Sequence, residues 1–459
     1  MDKHRITSST MESTSRRTFL KSGALALAAT PLAGTAVAQD RSADVWAADR
    51  WIATWAAAPT GPAIPPAAAP REFANQTLRQ IVHTSIGGDQ LRVRLSNEFG
   101  TTPLVIGAAR IARREMGSSI IAGTDRALTF GGQPSIVIPP GAPALSDPVD
   151  LDVPAQVDLA ISIFLPQPTL ATTLHSSAFQ TNYFTAGNAT GAPTLASPTT
   201  YTSWYFLTGV HVWSNRAGAL VTLGDSITDG AITTVDANRR WPDFLARRLQ
   251  QYDRFFRLGI ANVGIGGNRL LWPGNVPSGM FAGIGPLFGA AALARFDRDV
   301  LSQPGVEGVI VLLGVNDLGA PGAGAPASEQ VTADDLIRGY RQLIARAREK
   351  ALRIYGATIT PFAVATAPGY YTPAKEQTRQ VVNAWIRTGG EYDGVIDFDA
   401  AIRDPMDQTR MLPAYDSGDH LHPNDAGMEA MAQSIPLRLL TRILNLTGEV
   451  SPAAVAAAA

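Results

Sequence analysis

The periodicity of apolar residues changes once along these 459 residues, and that change limits the fold more than any other feature. Before about residue 213 the apolar positions alternate. Leu91, Val93 and Leu95 are separated by Arg92 and Arg94, and Val157, Leu159, Ile161 and Ile163 by Asp158, Ala160 and Ser162. A period of two turns one side of a strand toward a core and the other toward polar surroundings. Further short runs at 104–111, 136–138 and 204–212 are separated by Gly, Pro and Thr clusters, and Gly87-Gly88-Asp89 reads as a hairpin turn. With no helical pattern between these runs, residues 45–215 are expected to form a jelly-roll-like β-sandwich domain.

From Gly218 onward the order becomes strand, helix, strand. Apolar runs at 219–223, 309–313, 354–359 and 395–398 alternate with amphipathic segments at 242–252, 332–351, 373–388 and 424–444. That succession predicts a parallel sheet covered on both faces, an α/β domain over residues 216–448. The boundary between the halves falls at 214–218, and residues 449–459 form a low-complexity tail.

The first 38 residues read as an export signal. Arg16-Arg17 in Ser15-Arg16-Arg17-Thr18-Phe19-Leu20-Lys21 is a twin-arginine signature, followed by a mild apolar stretch and the small-residue cleavage pattern Ala36-Val37-Ala38. A mature chain starting near Gln39, secreted or periplasmic after passage through the twin-arginine export machinery, is expected. No later segment is long and apolar enough to span a bilayer. Cysteine is absent, so neither a disulfide nor a thiolate-bound zinc or iron–sulfur site is available, and stability must come from packing. Lys plus Arg number 38 against 39 Asp plus Glu, which gives no global field for nucleic acid or an anionic membrane.

Candidate chemistry gathers in the second half. Ser226, in Gly224-Asp225-Ser226, stands where the run 219–223 ends, at the carboxyl edge where open α/β sheets bind ligands. It is either a nucleophile or a turn residue. A serine nucleophile needs a base, a group that orients the base, and donors for a developing oxyanion. Of six histidines, His4 lies in the signal and His83, His175 and His211 in the strand-rich half, where a structural role is the expectation. That leaves His420 and His422. Asp419, three residues before His422, can reach its Nδ1 across one tight turn. Zinc held by this cluster is the competing reading, and it lacks a further histidine in this half. Asn316, after the run 309–313, and Gly267, in Asn262-Val263-Gly264-Ile265-Gly266-Gly267-Asn268, supply a side-chain and a backbone donor. Together these residues are expected at four successive strand ends. Trp272 and Tyr370-Tyr371 are read as either pocket walls or packing.

These blocks resemble those of the SGNH hydrolases, the GDSL esterase/lipase family, with Ile227 in place of the family's leucine. The resemblance covers residues 218 to about 445. It implies a flavodoxin-like three-layer α/β/α domain with Ser226 as nucleophile, Asp419 and His422 completing the triad, and an oxyanion hole made by Ser226 N–H, Gly267 N–H and the Asn316 amide, with no metal and no organic cofactor. The stretches Trp51-Ile52-Ala53-Thr54-Trp55-Ala56-Ala57-Ala58-Pro59, Arg79-Gln80-Ile81-Val82-His83 and Arg92-Val93-Arg94-Leu95-Ser96-Asn97 are similar to the N-terminal β-domain of two-domain secreted members like the xylan acetylesterases. That similarity implies hydrolysis of short acyl, especially acetyl, esters, with acetylated polysaccharide as partner. A lipase, lysophospholipase or arylesterase would use the same residues, and a non-catalytic carbohydrate-binding protein is the reading outside enzymes.

Overall fold

All strand pairs between Arg50 and Ser214 run antiparallel. The computed structural model describes residues 50–214, 217–252, 257–278 and 282–441; the twin-arginine signature, the cleavage pattern and the tail from 449 lie outside the described residues. One sheet orders Arg50–Ala56, Leu207–Ser214, Gly88–Ser96 and Val149–Val153, and a second centres on Gln76–His83 beside Asp158–Leu165. Leu91, Val93 and Leu95 of the first share a buried cluster with Leu78, Val82, Leu159, Ile161 and Ile163 of the second, so two apolar faces meet as the alternation requires.

Two expectations change. The far face of Asp158–Leu165 is covered rather than solvated: Ala160 packs with Ile81, Tyr183 and Leu195 in a separate cluster, and Ser162 Oγ accepts from the buried Arg79 Nε at 2.9 Å. Gly87-Gly88-Asp89 is not a hairpin, because Gln76–His83 and Gly88–Ser96 belong to different sheets. Glycine serves close approach there, since a Cβ on Gly87 would stand 2.3 Å from Val153 O.

Beyond Gly218, β1 (Gly218–Gly224), β2 (Leu258–Asn262), β3 (Val306–Leu312), β4 (Arg353–Ala357) and β5 (Gly394–Ile396) form one parallel sheet in the order β2-β1-β3-β4-β5. This is the flavodoxin-like arrangement, whose switch point lies between β1 and β3. Six of the helices matter here: α1 (Ser226–Asp229), α2 (Trp241–Gln250), α3 (Val315–Gly319), α4 (Ala333–Glu349), α5 (Pro373–Thr388) and α6 (Asp425–Ser434), with α2 packed on α6 and α4 on α5. Thr332 is the N-cap of α4 rather than its first turn: it accepts from Asp335 N–H, and Asp335 accepts from Thr332 N–H in return. The helix predicted over 424–444 is broken: α6 ends at Ser434, before Pro436, which brings no N–H to continue the ladder, and a separate short helix, Leu437–Thr441, follows, with 442–444 outside the described residues. No helix among the described residues is long and apolar enough to cross a membrane.

The halves share one core, since the same buried cluster runs from Ile52 through β1 and β3 to Leu440. Polar contacts cross the seam as well: Ala53 N–H donates to Pro304 O at 3.0 Å, and Ile260 N–H of β2 to Ser85 Oγ at 2.8 Å.

Candidate active site

β1 runs fully buried until Gly224, and the chain then turns into α1. Asp225 is the N-cap: its backbone is extended and its Oδ1 accepts from Ile227 N–H at 3.0 Å. Ser226 therefore opens the helix, with its side chain at the carboxyl edge of the sheet and 7% of its surface exposed. Gly230, at φ +99°, closes the helix after one turn.

His422 reaches this serine from 196 residues away. Its Nε2 lies 2.8 Å from Ser226 Oγ, and its Nδ1 lies 2.5 Å from Asp419 Oδ2. The loop carrying both is closed by its own hydrogen bonds. Ser417 N–H donates to His422 O at 3.2 Å and Asn424 N–H to Tyr415 O at 2.8 Å, while Asn424 caps α6 through Gly427 N–H at 3.0 Å. Asp419 Oδ1 accepts from His422 N–H, Leu421 N–H and Ser417 Oγ. Burial pushes this carboxyl up, but the His422 hydrogen bonds and charge, together with Leu421 N–H, outweigh it and hold the group well below the usual carboxylate range. Asp419 thus stays ionised and holds the proton of His422 on Nδ1, leaving Nε2 free to accept. His420, at φ +62°, turns away: its Nδ1 lies 2.6 Å from Asp416 Oδ2, a carboxylate partner outside the Ser226 chain of contacts.

The loop after β2 is pinned under α1. Ile265 N–H donates to Gly224 O at 3.2 Å, and Gly266 N–H to Asp229 Oδ2 at 3.0 Å. Among the described residues no protein acceptor takes the N–H of Gly267 or Ser226. Asn268 is saturated: its Nδ2 donates to Phe288 O and Ala290 O, its Oδ1 accepts from Arg295 Nε, and its backbone O accepts from Asn316 Nδ2 at 3.1 Å. Asn316, on α3 after β3, is thereby fixed beside Gly267, with one amide hydrogen left. Tyr370 is buried rather than an open wall, with its Oη 2.7 Å from Asn316 Oδ1, and Trp272 is 41% exposed.

The expectation of four successive strand ends is corrected in one respect. Ser226, Gly267 and Asn316 follow β1, β2 and β3, but the Asp419–His422 loop comes after β5 and an intervening helix, Phe398–Ile402. β4 supplies a support instead, as Thr366 N–H in the loop beyond it donates to Asp419 O at 3.2 Å.

Several participants were not singled out from sequence. Arg295, fully buried, donates to Gly224 O, Val263 O and Asp299, so it ties the ends of β1 and β2 together. Asp317 accepts from Leu270 and Leu271 N–H, anchoring the β2 loop to α3, and burial pushes its carboxyl up to about 6. Asn268 lies inside the segment 262–268 and had a positional signal; Arg295 had none.

Residues 222–430 match the GDSL-like lipase/acylhydrolase family. The α/β part is an SGNH hydrolase. That family comprises carboxylic ester hydrolases, and the chain is one of them. Among solved structures, the SGNH hydrolase resembles a GDSL-like lipase from Bacteroides thetaiotaomicron at 18% identity and TM-score 0.34, over 49% of this chain and 88% of that one. It also resembles an acetylxylan esterase from Geobacillus stearothermophilus, in a catalytic mutant form, at 20% identity and TM-score 0.34, over 49% and 94%. A hydrolase from the metagenome of Lake Arreo stands at 19% and 0.35, over 50% and 96%. No curated protein sequence matches the chain.

Proposed function

We propose that this protein is an exported serine esterase that removes short acyl groups, acetyl in particular, from carbohydrate. The observation that carries the chemistry is the unbroken line Ser226 Oγ, His422 Nε2, His422 Nδ1, Asp419 Oδ2 at 2.8 and 2.5 Å. Ser226 Oγ attacks the ester carbonyl while His422 Nε2 takes its proton, and Asp419 stabilises the imidazolium. The tetrahedral oxyanion is met by Ser226 N–H, Gly267 N–H and the remaining Asn316 amide hydrogen. His422 then returns the proton to the leaving alcohol, and water, deprotonated by the same nitrogen, releases the acid and restores Ser226.

The acetyl-carbohydrate assignment is supported by the resemblance of the segments at 51–59, 79–83 and 92–97 to xylan acetylesterases, and export by the order of arginine pair, apolar stretch and cleavage pattern in residues 1–38. A longer-acyl esterase or lipase is favoured by one observation. Ile232, Val235, Trp272 and Val364, on loops that follow α1, β2 and β4, are all exposed apolar residues. Purified protein assayed on acetylated xylan against aryl esters of rising acyl length separates the two readings. Release of acetate from xylan with a rate falling beyond short acyl chains supports the first, and a rate rising with chain length replaces it with the second. For export, exchanging Arg16 and Arg17 for lysine should leave uncleaved precursor in the cell, and unchanged release would contradict it.

A further inference from the structure

An asparagine serves an oxyanion only if its nitrogen, and not its oxygen, faces the reacting carbonyl. The two ends of a carboxamide have nearly the same shape, so something must choose between them. In this protein the chooser is visible. Tyr370 Oη lies 2.7 Å from Asn316 Oδ1, and Asn316 Nδ2 lies 3.1 Å from Asn268 O. Asn268 O only accepts, so the group facing it is the amide nitrogen. The Tyr370 hydroxyl hydrogen then points to Oδ1, its nearest acceptor, with Val315 O farther away at 3.4 Å. Flipping the amide would set oxygen against the Asn268 carbonyl and leave the tyrosine facing a donor.

Tyr370 is itself held without slack. It is 7% exposed, and its ring meets Phe362 edge to face with centroids 6.0 Å apart. The ring lies so close to α3 that a Cβ on Gly319 would fall 2.2 Å from it, which makes glycine the residue that fits there. Lys375 clamps the same place: its Nζ donates to Gly319 O, Pro321 O and Gly369 O, joining the end of α3 to the residue before Tyr370. Burial, with the nearby Asp225, Asp317 and Asp419, pushes the phenol well above its usual range, so the hydroxyl remains a donor throughout working pH.

We infer that Tyr370 is a positioning residue of the esterase: its hydroxyl fixes Asn316 in the one amide orientation that presents a hydrogen to the oxyanion. This rests on the oxyanion role proposed for Asn316, and the two are separated by a double-mutant cycle. Tyr370→Phe keeps the ring and its packing. It should lower kcat about tenfold with KM changed less than about twofold, since the interaction it supports forms in the transition state. In an Asn316→Ala background, where no amide remains to orient, Tyr370→Phe should change kcat by less than about twofold. An equal tenfold loss in that background, or no loss in the single variant, overturns the positioning role while leaving Asn316 intact. Should Asn316→Ala alone retain full kcat, the oxyanion assignment falls first and the role of Tyr370 with it.

Discussion

His175, in the strand-rich half, and Asp229, the last residue of the helix that Ser226 opens, meet Nε2 to Oδ1 at 2.8 Å with both side chains only 5% exposed. The other ring nitrogen faces Ala58 O at 2.9 Å, so both nitrogens face acceptors and the ring is suited to carry two hydrogens. Burial pushes its pKa down, and Arg240 adds to that. The charge of Asp229 and the hydrogen bonds to Asp229 and Ala58 outweigh both and raise it above the ordinary 6.5. Because Asp229 Oδ2 also accepts from Gly266 N–H, one carboxylate joins the β half, α1 and the loop of Gly267.

Breaking that pair strands a buried charge. His175→Leu should cost roughly 3–5 kcal/mol, read as a lower melting temperature. A histidine raised in the folded state contributes its full stability below the unfolded value and loses it as pH rises through the folded one. The gap between wild type and His175→Leu should therefore be widest near pH 6 and narrow in alkali. A gap independent of pH would contradict a charged imidazole.

Asp225 titrates in the opposite sense from an ordinary paired carboxylate. Burial, with Asp317 adding to it, pushes it up to about 7, and its Oδ2 is buried without a partner. The native state thus keeps a proton that the unfolded chain gives up near 3.8, so stability is full below that value and falls as pH rises toward about 7. Asparagine caps a helix as well as aspartate and cannot ionise. Melting temperatures of Asp225→Asn should match or fall below wild type at about pH 4 and exceed it at about pH 8. Parallel curves would show that Asp225 does not bind the extra proton.

Removing the β half should not yield a working enzyme. A chain starting at Ala217 exposes the seam that β1 and β2 share with Ile52 and Ala53, and leaves Asp229 without His175. Such an exposed apolar face promotes association, and an insoluble product is expected. A soluble, fully active fragment would assign the β half a role outside the hydrolase.

The two neighbouring histidines should differ sharply. His422→Ala should lower kcat by at least about 10³-fold, while His420→Ala, which loses only its contact with Asp416, keeps much of the rate. The reverse pattern would move the base to His420.

How legible the site was depends on sequence separation. Asp419 and His422 lie within one turn, and Ser226 lies two residues beyond a strand of seven buried residues, so spacing alone carried the relation. The supports span long distances: Arg295 reaches Gly224 across 71 positions and Tyr370 reaches Asn316 across 54, and no local pattern encodes such pairs. In the β half, alternation was readable at Leu91, Val93 and Leu95, but the covering of Ala160 by Tyr183 and Leu195 depends on sheet order, which a period of two does not specify. The Gly87 turn misled for the same reason, since a hairpin and a crossing between sheets use similar residues.

Whether Ser226 is the nucleophile is read out by an active-site label. A fluorophosphonate probe allowed to react with the purified enzyme, followed by mass spectrometry of the peptides, should place one adduct on Ser226 and abolish hydrolysis. Ser226→Ala should retain the wild-type melting temperature, take up no probe and show no activity. An adduct on another serine, or hydrolysis surviving in folded Ser226→Ala, would contradict the account.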